Sequence, residues 1–130
     1  MARMHKPETT RLDLSDGDFL IVKKRLTAGE ERKIFARMVS KLVPGEKTEV
    51  DPMQAGIAKI VEYLLDWSIR DADDKPVEIR NQPPEFVTAA LNALDGASYA
   101  EIRIAIDEHE ARVAAETQDL KKMTVTASVA

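Results

Sequence analysis

The sequence predicts a mainly α domain of the α+β class: about four helices in a compact bundle, a short N-terminal β-hairpin and a disordered C-terminal tail. Three observations lead there. Apolar residues recur at helical spacing in four stretches after Thr27. Helix start and stop signals punctuate those stretches. Ahead of them, short β-rich runs flank a turn around Gly17. The length of 130 residues suits one domain, since domains run to roughly 100–200 residues. We place a mobile arm at 1–9, the domain at 10–118 and a flexible tail at 119–130.

Leu12 and Leu14 alternate with polar neighbours, Ser15-Asp16-Gly17-Asp18 makes the turn, and Phe19-Leu20-Ile21-Val22 is the second strand. Thr27-Ala28-Gly29-Glu30 matches a capping box, in which the Thr27 hydroxyl and the Glu30 carboxylate exchange bonds with backbone N–H groups. It opens a helix of about 28–43. Ile34, Phe35, Met38, Val39 and Leu42 share its apolar arc, and Lys33, Arg37 and Lys41 form a basic ridge. Pro44-Gly45 ends it.

Asp51-Pro52 starts a second helix, expected over 52–69. Its apolar residues, among them Ile57, Ile60, Tyr63, Leu64, Trp67 and Ile69, cover most of the circumference. Such a helix is either the centre of the domain or also faces a partner. A polar turn over Asp71–Pro76 leads into an extended piece, Val77-Glu78-Ile79. Pro83-Pro84 opens a third helix of about 84–94, with Phe86, Ala90, Leu91 and Leu94 on its apolar side and Gly96 beyond its end. Ser98-Tyr99-Ala100-Glu101 reads as a second capping box, for a helix of about 99–117. Its main stripe is Ile102, Ile106, His109 and Val113. A narrow second stripe, Ile104, Ala111 and Ala115, is either a shallow internal contact or a partner surface.

Composition excludes several classes. With 0 Cys there is no disulfide, thiolate nucleophile or thiolate metal site, which fits a reducing cytoplasm. No apolar run approaches the roughly 20 residues of a membrane span, and residues 1–6 lack the apolar core of a signal peptide. Asp71-x-Asp73 begins like a calcium loop, but Pro76 and Gln82 stand where Gly and Glu are required. His109 sits on an apolar stripe and reads as a hydrogen-bonded structural residue. Neither a nucleophile elbow nor a phosphate-binding or dinucleotide glycine motif appears. We expect no enzyme, cofactor or metal. The net charge of −4 divides into +3 over residues 1–50 and −7 over 51–130. The basic stretch Lys23-Lys24-Arg25 with Lys33, Arg37 and Lys41 is the one candidate for nucleic acid, and the acidic remainder argues against it.

The order of these segments carries more than their composition. The hairpin Leu12–Val22 runs into Lys23-Lys24-Arg25-Leu26-Thr27-Ala28-Gly29-Glu30. There follow Ile60-Val61-Glu62-Tyr63-Leu64-Leu65-Asp66-Trp67-Ser68-Ile69, the turn Asp73–Val77, and Ser98-Tyr99-Ala100-Glu101-Ile102 leading to Ile106-Asp107-Glu108-His109-Glu110. Over residues 10–117 the chain resembles the small tail assembly chaperones of long-tailed bacteriophages. The resemblance implies a non-enzymatic protein of the infected bacterial cytoplasm, absent from the mature virion. It further implies binding to the tape measure protein and recruitment of tail tube subunits, with a longer frameshifted form in many members. A homo-oligomer is a further expectation. Structural head–tail connector or tail completion proteins are the alternative class, and a small nucleic-acid-binding regulator the third. A chaperone of a helical client needs apolar surface rimmed by charge. We expect it on Tyr63, Trp67 and Ile69, with the ridge Lys33, Arg37 and Lys41 as a second contact.

Overall fold

The computed structural model describes residues 3, 4, 6–39 and 52–128, the side chains of 39, 52–54 and 120–128 excepted. The elements are β1 (Thr9–Asp13), β2 (Phe19–Lys23), α1 (Ala28–Val39), α2 (Pro52–Tyr63), β3 (Leu64–Trp67), α3 (Pro84–Asn92) and α4 (Gly96–Ser128). The mainly α architecture with an N-terminal hairpin is the one the sequence predicts, and a third strand enlarges the hairpin into a sheet of order β1-β2-β3.

β1 and β2 pair in antiparallel register, Leu12 opposite Leu20 and Thr10 opposite Val22. The chain reverses through Asp16 at φ 58° and Gly17 at φ 81°, two consecutive left-handed residues that short polar or absent side chains permit. Nothing lies within 4 Å of where a Gly17 Cβ would be, so backbone conformation alone calls for glycine there. The turn is anchored on α4: the Ser15 N–H and hydroxyl both donate to the Glu101 carboxylate, at 2.6 and 2.8 Å.

The helix expected over 52–69 is shorter than the sequence suggests. α2 stops at Tyr63, and Leu64–Trp67 pair with β2 as β3. Val22 faces Leu64, Ile21 faces Asp66 and Leu20 faces Trp67, so Leu65 is the extra residue of a bulge. The bulge puts Leu64 and Trp67, three apart, together in the core. That spacing imitates one turn of helix, while the pairing partner lies some forty residues away in sequence.

One core joins the sheet to the helices. Leu12, Leu20, Val22, Leu64 and Trp67 meet Ile57 and Ile60 of α2, Val87 and Leu91 of α3, and Ile102 and Ile106 of α4. On α3 the buried anchors are Val87 and Leu91, whereas Phe86, expected on the apolar side, is exposed. The Trp67 Nε1–H donates to the Val77 carbonyl at 2.7 Å, tying the extended segment after β3 to the sheet. At Gly56 a Cβ would lie 3.2 Å from the Tyr99 hydroxyl. Gly56, in the middle of α2, thus marks the close approach of α2 to α4.

α4 begins at Gly96, capped by Asp95, whose carboxylate accepts the Ser98 N–H at 2.7 Å and the Ser98 hydroxyl at 3.0 Å. Those bonds, the N–H first, hold the Asp95 carboxyl below the usual carboxylate range. The expected Ser98–Glu101 box does not form: the helix starts earlier, Ser98 gives its N–H and hydroxyl to Asp95, and Glu101 is engaged by Ser15. The main stripe of α4 is buried at Ile102, Ile106 and His109, and the second stripe, Ile104, Ala111 and Ala115, faces solvent. No glycine or proline follows Gly96, and the helix continues through Ser128. Of the stretch 119–130 expected as a flexible tail, the backbone as far as Ser128 is described as helix, and 129 and 130 lie outside the described residues, as does the end of the first helix beyond Val39. No helix among the described residues is long and apolar enough to cross a membrane.

Candidate functional site

The buried polar side chains of the described residues, Glu62 and His109, converge on one short segment, the connection from β2 to α1. Its first half is closed. Lys23 Nζ bonds the carboxylate of Glu30 on α1 and reaches that of Glu62 on α2 at 3.3 Å. Glu62 is buried, and its other oxygen accepts Arg37 Nη1 of α1 at 2.9 Å. A carboxylate removed from water needs such partners, since an unpaired one costs several kcal/mol, in rough terms.

The Thr27 box forms as expected. The Glu30 N–H donates to Thr27 Oγ1 at 3.2 Å, and the Thr27 N–H donates to Glu30 Oε1 at 2.9 Å. Burial acts to raise the Glu30 pKa. The Lys23 bond, the Thr27 N–H and the Lys23 charge outweigh it and hold the carboxyl below its ordinary value.

From α4, His109 closes the same junction. Its Nε2 lies 3.2 and 3.0 Å from the carbonyl oxygens of Lys23 and Lys24. Two acceptors require a donor, which assigns the hydrogen to Nε2. The Tyr63 ring meets the imidazole edge-on at 6.0 Å, and its hydroxyl donates to Glu110 at 3.1 Å. Burial, together with the Glu110 charge, pushes the Tyr63 hydroxyl pKa strongly upward. Lys59 bridges Asp107 and Glu110. Its pKa is depressed by partial burial but raised overall by those two carboxylates.

The second half of the connection is open. Residues 24–30 form one wall of a cleft of about 900 Å³, and the arm, residues 3, 4 and 6–9, forms the other. Lys23 and the bulge residue Leu65 also line it. Basic side chains outnumber acidic ones, with Arg3, Lys6, Lys23, Lys24 and Arg25 against Glu8 and Glu30. Lys23 is held by Glu30 and Glu62, and Lys24 pairs with Glu8 at 3.5 Å. Arg25 Nε is buried and has no hydrogen-bond partner among the described residues. A buried donor left in that state is unusual in a folded chain. The larger apolar side chains of the lining are Leu26, Leu65 and Met4, the last 91% exposed. This combination suits an anionic ligand with apolar parts.

The residues singled out from sequence are not brought together as a surface. Tyr63 and Trp67 are 5% and 6% exposed. The single chain covers them, and they are withdrawn as client-binding residues. Ile69 is half-buried against the core. Lys33 is exposed on α1, Arg37 is turned inward to Glu62, and Lys41 lies outside the described residues. No basic ridge of all three is therefore described. Arg3, Lys6 and Leu65 carried no functional signal in sequence. Arg25 did, as the end of the Lys23-Lys24-Arg25 run. Among the described residues, no group of three or more His, Asp or Glu is placed to hold a metal ion. Comparison with protein-family models, characterised proteins and solved structures returns no match to this chain.

Proposed function

We propose that this protein is a non-catalytic assembly chaperone of long-tailed bacteriophages. In this reading it works in the cytoplasm of the infected bacterium, binds the tape measure protein, helps recruit tail tube subunits and leaves before the particle is complete. The observation that carries an adaptor role is the open basic cleft, which has an excess of donors, an apolar floor and room for part of another chain. The identity of the client comes from the resemblance of residues 10–117 to the tail assembly chaperones. The client surface moves accordingly from the buried Tyr63 and Trp67 to the cleft.

The test is co-expression of the full chain with the tape measure and tail tube proteins of its phage, followed by affinity capture and mass spectrometry of purified particles. Capture of the tape measure protein and absence from particles are expected. Stoichiometric presence in the particle would instead make the chain a structural connector or completion subunit. Failure to capture either protein removes the chaperone reading.

A further inference from the structure

We propose that the cleft between the N-terminal arm and residues 24–30 docks an acidic, partly apolar linear segment of a partner protein. Arg3, Lys6 and Arg25 take its carboxylates, and Leu26 and Leu65 seat an apolar side chain. The inference rests on the adaptor reading in taking the occupant to be a protein, and it names the chemistry by which that protein is held.

Three independent features meet there. No ion pair among the described residues engages Arg3 or Lys6. Arg25 Nε is a buried donor lacking an acceptor, and a carboxylate oxygen is the acceptor that guanidinium geometry favours. Leu65 lines the cleft because the β2–β3 pairing holds one residue too many. Bulges of this kind re-aim a side chain beside functional sites. Charge decides the class of occupant. A nucleic acid would need basic residues spread along an extended face. Five basic side chains converge on this one cleft, in a chain whose net charge is −4. An acidic peptide needs only a local match, with an apolar contact for its side chains.

The experiment uses the full chain and a fluorescein-labelled peptide of alternating Glu and Leu, read by fluorescence anisotropy. The peptide should bind in low salt. Its affinity should fall at least ~5-fold in Arg3→Glu/Lys6→Glu and in Arg25→Met, and also on raising salt from about 50 to about 300 mM. A peptide with Lys in place of Glu should not bind. Circular dichroism of each variant guards against loss of fold. The proposal is overturned by failure of the acidic peptide to bind, or by binding that both variants leave unchanged. It is also overturned if an oligonucleotide of equal charge binds more tightly through the same residues. Self-association of the chain that Arg3→Glu/Lys6→Glu abolishes would make the occupant a second copy and likewise overturn it. The two readings fail separately. Peptide binding without tape measure capture removes the chaperone reading alone. Full-strength tape measure capture by Arg3→Glu/Lys6→Glu removes the cleft as the site of that contact.

Discussion

Two polar regions share the segment from Lys23 to Glu30, and they are built to opposite rules. At Lys23, Glu30, Glu62, Arg37 and His109 each charged or polar group meets a partner from another element, and four elements are joined. At Lys24 and Arg25 the same segment opens onto a cleft, and the buried Nε of Arg25 has no partner among the described residues. The contrast teaches where this fold uses its charges for itself. Satisfied networks hold secondary structure in place, whereas a buried donor without an acceptor costs the folded chain stability and recovers it only when a ligand supplies the acceptor.

The largest effect should come from breaking the closed region. Glu62→Ala leaves Lys23 and Arg37 without their shared buried acceptor. Losing one partner of a fully buried pair costs about 3–5 kcal/mol. Both cations are partly exposed, with side chains 26% and 31% accessible. The expected loss is therefore ~2–3 kcal/mol by urea denaturation, and a loss below about 0.5 kcal/mol would show that the junction is not structural. Next, Thr27→Ala removes the cap hydroxyl of α1 and should cost ~1 kcal/mol in the same measurement.

The pH dependence sharpens the comparison. The folded Glu30 pKa lies below its ordinary value of 4.5. Its stabilisation is therefore complete above that value and is lost as pH falls through the lower folded pKa. Glu30→Gln should flatten the acid limb of the stability profile below about pH 4.5 and leave its shape near neutrality unchanged. The smallest effect belongs to the open region. Arg25→Met should leave stability unchanged or raise it, by no more than about 1 kcal/mol, because it deletes a buried donor that makes no bond in the free protein. A large destabilisation would place Arg25 with the closed network instead.

Much of this was legible wherever the signal is local. The Thr27 box, the Gly17 turn, and the stripe Ile102, Ile106 and His109 each depend on residues within a few positions of one another, and the structure shows them in place. The end of α2 was not legible, because β3 exists only through its pairing with β2, and its bulge gives Leu64 and Trp67 a helix-like spacing. The start of α4 was legible only to within a turn: the sequence points to Ser98, and the cap is Asp95. A distant contact, Ser15 with Glu101, accompanies the earlier cap. The cleft was half legible. The basic run Lys23-Lys24-Arg25 stood out, but only the fold brings the arm opposite it and sets Leu65 within reach.

The junction at Tyr63 and Leu64 has a further consequence. One element ends and the next begins with no intervening residue, so there is no slack to absorb a change in length. Adding a residue within α2 would turn the residues before it by about 100° relative to the strand. Adding one within β3 would exchange its inward and outward faces. Chain length is therefore specified to the residue at this seam, and insertions or deletions should be tolerated far less there than in the exposed turn at Asp71–Lys75.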